Sequence, residues 1–292
     1  MNKSYLFLFC LLSVASVFAQ MPETDIFLAD IRNDNGSLSF STPVNITNRK
    51  GYDNQPYFMP DGKSILYVAY KDTAESDILK YDLTTKKISQ ITQTSESEYS
   101  PNLTPDSKSI SVVRVDIDDG QRFYTFPLDG YGHPHYFKGT DSIGYYCWLN
   151  DSGLAMFILR DVMSLQILNT NTSERKWIVS DIGRCMKLSP DKKSMYFVLK
   201  QNADEWSIFK LDISTLVMHK VITTLKGSED FAIMPDGSLL MGSEGKLFRY
   251  RVGEKQWQQV ADFISALGNF YRITVNTKGD KIALVAFTGE KP

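Results

Sequence analysis

The chain has 292 residues, of which 42% are apolar, 23% charged and 12% aromatic, with 18 Gly and 11 Pro. This composition excludes a collagen-like, coiled-coil or wholly disordered protein and is sufficient for a large buried core. The formal charge of −2, with acids and bases interspersed, lacks the basic footprint of a nucleic-acid partner, and none is expected.

Residues 1–19 contain Lys3, an apolar run over 5–17 and the ending Val17-Phe18-Ala19. That order predicts a secretory signal peptide cut after Ala19. The run of roughly 13 residues is too short for the ~20 that cross a bilayer. No later stretch qualifies, so a periplasmic or secreted protein without a transmembrane segment is expected.

Two strands follow, at 25–31 and 39–46, around a turn at Asn33-Asp34-Asn35-Gly36. The phrase Met59-Pro60-Asp61-Gly62-Lys63-Ser64-Ile65 then opens a repeat. It returns as Thr104-Pro105-Asp106-Ser107-Lys108-Ser109-Ile110, Ser189-Pro190-Asp191-Lys192-Lys193-Ser194-Met195 and Met234-Pro235-Asp236-Gly237-Ser238-Leu239-Leu240. Weaker copies lie at 149–155 and 276–282. The equivalent residues Asp61, Asp106, Asp151, Asp191, Asp236 and Lys278 are separated by 45, 45, 40, 45 and 42 residues. This period is that of a four-stranded propeller blade. Each phrase also reads as a hairpin turn, because Pro presets the first turn angle and Asp and Gly accept tight or left-handed backbone.

Strands rich in β-branched and aromatic residues flank the turns. Outer pairs are predicted at 77–83 with 87–92, 163–168 with 176–179, 206–211 with 219–222 and 246–250 with 257–260. The sixth copy has only two inner strands, at about 271–287, and the strands at 25–46 supply its missing outer pair. The expected fold is all-β: a six-bladed propeller of four-stranded antiparallel blades, closed by amino-terminal strands joining the last blade. It forms a single domain over 20–292.

The Pro-Asp-Gly-Lys-Ser-Ile phrase, the strand Asp77-Ile78-Leu79-Lys80-Tyr81-Asp82-Leu83 and the ending Ile91-Thr92 resemble the PD40-type (WD40-like) repeats of TolB-like six-bladed propellers. The resemblance covers nearly all of 20–292. It implies an envelope or secreted protein engaged in protein contacts, here without the α/β domain that precedes the propeller in TolB itself.

In propellers of this kind, the loops entering each innermost strand and those between second and third strands surround one mouth of the central channel. Seven residues before the turn Asp lie Asn54, Tyr99, Gly144, Arg184, Glu229 and, from Lys278, Tyr271. Tyr52, Asp53, Glu98, Asp230 and Arg272 are their neighbours. The second-to-third-strand loops add Tyr70, Asp72, Arg114, Asp116, Arg160, Asp161, Asp204 and Trp206. Tyr, Trp and Arg dominate binding hot spots, and Asn54, Tyr99, Arg184, Glu229, Asp230, Tyr271 and Arg272 are the binding candidates. Solvated loop charges and blade-packing tyrosines would leave the same pattern.

Catalytic signals are sparse. There is no Gly-x-Ser-x-Gly elbow, zinc-protease motif or phosphate loop. His133 and His135 lack convergent partner ligands and fall near an outer strand, as does His219. Asp116-Ile117-Asp118-Asp119-Gly120 reads as an acidic turn rather than a calcium loop. Cys147 and Cys185 read as buried hydrophobes, with a disulfide as the alternative. No catalytic residue, metal or cofactor is expected. The sequence points to an exported protein-binding or scaffold module of the bacterial cell envelope, with an envelope or secreted protein as partner. The alternative is a carbohydrate-acting hydrolase or lyase with a glycan ligand at the channel mouth.

Overall fold

A computed structural model of the chain describes residues 22–70, 75–128 and 133–289, so the proposed signal peptide and Asp72 lie outside the described residues. The chain opens with β1 (Thr24–Asp34), β2 (Ser37–Phe40) and β3 (Val44–Asn45). The first blade is β4 (Asp53–Phe58), β5 (Ser64–Tyr70), β6 (Ser76–Asp82) and β7 (Ile88–Gln90). The second is β8 (Ser97–Leu103), β9 (Ser109–Val115), β10 (Gln121–Pro127) and β11 (His135–Tyr136). The third is β12 (Ile143–Trp148), β13 (Gly153–Ile158), β14 (Ser164–Asn169) and β15 (Arg175–Ser180). The fourth is β16 (Ile182–Leu188), β17 (Ser194–Lys200), β18 (Trp206–Asp212) and β19 (Met218–Thr223). The fifth is β20 (Phe231–Ile233), β21 (Leu239–Ser243), β22 (Lys246–Tyr250) and β23 (Gln258–Asp262). After the one-turn helix α1 (Ile264–Leu267), β24 (Phe270–Val275) and β25 (Lys281–Phe287) begin the sixth.

The sixth blade is completed from the other end of the chain. Its strand order is β2-β1-β25-β24, with β1 antiparallel to β25 from Thr24 opposite Phe287 to Asp30 opposite Lys281. The predicted second amino-terminal strand is interrupted. Pro43 cannot donate to a ladder, and the stretch divides into β2, which pairs with the far end of β1, and β3, which pairs with Phe27 and Leu28.

In the four strong copies the repeated Asp makes the same turn contact. Its Oδ1 accepts the amide of the residue two positions on: Lys63 at 2.8 Å, Lys108 at 3.1 Å, Lys193 at 3.1 Å and Ser238 at 3.0 Å. The residue after the Asp has positive φ, at 68° for Gly62 and 82° for Gly237, which explains the preference for Gly there.

Six apolar clusters fill the six blade-to-blade contacts. Val68 and Ile78 meet Ile110 and Val112 between the first and second blades, and Val198 and Ile208 meet Phe231 and Met241 between the fourth and fifth. The core is therefore a ring around the channel. Cys147 and Cys185 are free thiols on neighbouring inner strands, and burial pushes them up to about 11 and about 12. Among the described residues no helix is long and apolar enough to cross a membrane.

Arg249, 2% exposed, ties the amino-terminal hairpin to the fifth blade. It donates to the Gly36 carbonyl at 2.8 Å and the Ser238 hydroxyl at 2.9 Å, and pairs with Asp236. Asp236 is half-exposed, so the ion pair itself is screened, and losing the hydrogen bonds to buried groups costs about 1 kcal/mol. Arg249→Met is expected to lower the denaturant midpoint with unchanged slope. A midpoint equal to that of the parent would contradict this role.

Candidate functional site at the channel mouth

Inner strands carry the site, and they are irregular where it forms. Pairing with the second strand slips between Asn54 and Tyr57, Tyr99 and Asn102, Ile143 and Tyr145, Ile182 and Met186, and Phe270 and Arg272. Each slip is a β-bulge, which unpairs a residue and re-aims its neighbours. Gln55 and Ser100, 45 residues apart, take positive φ of 52° and 55° at the first two. In the fifth blade, Glu229 and Asp230 precede the short β20 and reach the same level without a slip.

The charged candidates converge into one chain of ion pairs across three blades. Arg184 of the fourth blade reaches Glu229 at 2.8 Å and Asp230 at 2.5 Å, both of the fifth. Lys200 at the end of β17 takes the second Glu229 oxygen at 2.9 Å. Arg272 of the sixth blade lies 3.4 Å from Asp230. A Cβ on Gly183 would come within 2.7 Å of the Glu229 carboxylate, so Gly183 leaves the space this carboxylate occupies.

Tyrosines complete the circle. The Arg272 guanidinium donates to the Tyr145 hydroxyl at 3.3 Å and sits 5.6 Å from its ring centre. Tyr52 packs edge-on against Tyr70 at 5.6 Å, and the Tyr70 and Tyr99 hydroxyls are hydrogen bonded across the first and second blades. Asn54 is fully buried and donates to the Tyr271 hydroxyl, so it supports that phenol from behind the mouth. Burial pushes the Tyr52 and Tyr271 phenols upward against the opposing pull of Arg272, which keeps both as neutral donors. For Arg272 itself, burial works against the charge, but Asp230 and then Tyr145 and Tyr52 outweigh it.

The other expected neighbours sit elsewhere. Asp53 and Glu98, at equivalent repeat positions, are fully buried. Burial pushes Asp53 up to about 6, even though Arg49 holds it at 2.5 Å. Glu98 has Thr94 at 2.5 Å instead, and burial pushes it up to about 7. Arg114 and Asp116 pair with each other at 2.6 Å, and Asp116 and Asp118 both hold Arg122 at 2.7 Å in the acidic turn. Arg160, Asp161 and Asp204 are exposed on their loops. Trp206 lies beneath Lys200, whose ammonium is 4.2 Å from the ring centre. His135 is on β11 and His219 on β19, both outer strands, and both are exposed, as is His133. Among the described residues no three His, Cys, Asp or Glu side chains converge as a metal site.

Tyr145 and Lys200 belong to the mouth and escape the sequence reading. Counting seven residues back gives Gly144, but the bulge advances the channel-facing side chain by one. Lys200 is nine residues after its turn Asp, the offset that places Tyr70 in the first copy. A cleft of about 300 Å³ opens beside the ion pairs, lined by Arg184, Trp206, Lys226, Glu229, Glu244 and Tyr271 among others.

Six four-stranded blades closed by an amino-terminal strand define a six-bladed β-propeller, and solved structures of TolB proteins share it. A protein described as a TolB from Agrobacterium tumefaciens is 13% identical, with 92% of this chain and 99% of that one covered at a TM-score of 0.68. TolB from Acinetobacter baumannii is 16% identical, covering 91% and 65% at 0.61. An oligogalacturonate lyase from Vibrio parahaemolyticus is 15% identical, covering 86% and 81% at 0.60. The chain thus has the TolB-like propeller fold. No family model matches it, and no curated protein matches it in sequence.

Glu98 makes stability depend on pH. Its folded value of about 7 lies above its ordinary 4.5, so between these values the unfolded chain releases the proton first and stability falls as pH rises. Asp53 acts in the same direction. Glu98→Gln is expected to remove on the order of 2 kcal/mol of the stability lost between pH 5 and pH 8. Parallel melting-temperature profiles for variant and parent would contradict it.

Proposed function

We propose that this propeller is an exported protein-binding or scaffold module of the bacterial cell envelope, which receives its partner on the loop face around the channel mouth. Export rests on the signal-peptide reading of residues 1–19. The observation that carries the binding reading is the state of the mouth carboxylates. Glu229 and Asp230 are both engaged by cations, Glu229 through both oxygens, so neither stands free as a base or nucleophile. Around them are phenols, guanidinium groups and an indole, the groups that anchor protein interfaces.

The rim of the same face supports this reading. Ile117 in the β9–β10 loop is 98% exposed, and Val162 and Met163 in the β13–β14 loop and Ile264 on α1 are also exposed. Large apolar side chains displayed on loops of a rigid scaffold fit a protein partner.

A glycan is the second reading, favoured by Trp206 and Tyr271 lining the cleft beside Glu229. The likeness to an oligogalacturonate lyase shares the fold without extending to its activity. Turnover of an oligosaccharide, abolished in Glu229→Gln, would favour it.

The test is affinity capture from solubilised envelope with quantitative mass spectrometry, comparing the parent with an Ile117→Asp, Met163→Asp variant. Both sites are exposed, so the variant is expected to fold normally and to retain its partners at least tenfold less. Equal retention by both proteins would contradict docking on this rim, and no enrichment by either would contradict the binding reading.

A further inference from the structure

The mouth holds more positive charge than it neutralises, although the whole chain is slightly acidic. Arg184, Arg272 and Lys200 face Glu229 and Asp230, and around the cleft Lys226 is offset by Glu244. Three of the four carboxylate oxygens are used at 2.5–2.9 Å by Arg184 and Lys200. Arg272 is left with the fourth at 3.4 Å, outside hydrogen-bond geometry at its Nε, and with one hydrogen bond, to the Tyr145 hydroxyl. Its side chain is only 12% exposed. A guanidinium has five donors in a planar fork and is costly to bury with so few acceptors.

The geometry points to Arg272 as the seat of a carboxylate on the docked partner: an acidic side chain or a carboxyl terminus on a peptide segment entering the channel mouth. This rests on the protein-binding reading above and adds the chemistry of the inserted group. A carboxylate matches the guanidinium fork and removes the excess charge. The phenols of Tyr52, Tyr145 and Tyr271 lie around Arg272, and Tyr271 is held by Asn54. They add hydroxyl donors to the seat. A peptide is favoured over an acidic sugar because the same face displays Ile117, Val162, Met163 and Ile264.

Random dodecapeptides displayed on phage and selected on the full chain provide the probe, with affinities of the selected peptides measured by fluorescence anisotropy. The selected peptides are expected to share an Asp, Glu or free carboxyl terminus. Changing that group to Asn, Gln or an amide should weaken binding at least tenfold. Arg272→Met should lose a similar factor and Arg272→Lys less, because it keeps the charge without the fork. Should Arg272→Met fail to fold, the exchange within the peptide decides on the parent protein. Peptides that bind the mouth, lose affinity in Ile117→Asp, Met163→Asp, and tolerate neutralisation would overturn the carboxylate seat while leaving the binding reading intact. No enriched peptide would overturn both.

Discussion

The pairing of β1 with β25 is the constraint on which the other five blades depend. With β1 and β25 in one sheet the ring is closed by backbone pairing, and seven residue pairs from Thr24 to Asp30 do so here. Closure removes two open sheet edges that would otherwise offer unpaired backbone to other chains. It also fixes β24, the strand that carries Tyr271 and Arg272, against the first blade. Arg249 locks the hairpin of the amino-terminal strands onto the fifth blade, so the junction is held by side chains as well as by the ladder.

Given a closed ring, bulges in the inner strands do the rest. A regular strand would send alternate side chains into the blade-to-blade cores and leave the channel lined by whatever remained. Five slips in register re-aim those side chains, and Arg184, Tyr145, Tyr271 and Arg272 meet Glu229 and Asp230 at one level. The interactions run between blades, so the mouth is preorganised by the same packing that stabilises the ring. This favours recognition by a fixed surface, with little ordering cost on binding.

Much of the fold is legible in the sequence because turn chemistry repeats. The Pro-Asp phrases need Asp to cap an amide and Gly or a tolerant residue for positive φ, so spacing alone locates the blades. The break at Pro43 shows where strand propensity yields to a missing donor. The site is less legible. Arg184, Glu229, Asp230 and Arg272 lie at or beside the counted positions, but sequence separation conceals that they form one ion-pair chain. A bulge shifts the third blade from Gly144 to Tyr145, and such a shift has no signature in a single sequence. Asp53 and Glu98 look like loop charges, yet both are fully buried at the start of inner strands, where burial raises both.

The central claim is that side chains from separate blades form a single coupled cluster at the mouth. A double-mutant cycle on stability with Arg184→Met, Asp230→Asn and the pair tests it most directly, since these residues belong to different blades. A coupling energy of about 1 kcal/mol or more is expected. Additivity to within about 0.3 kcal/mol would mean that the two groups do not interact and would contradict it.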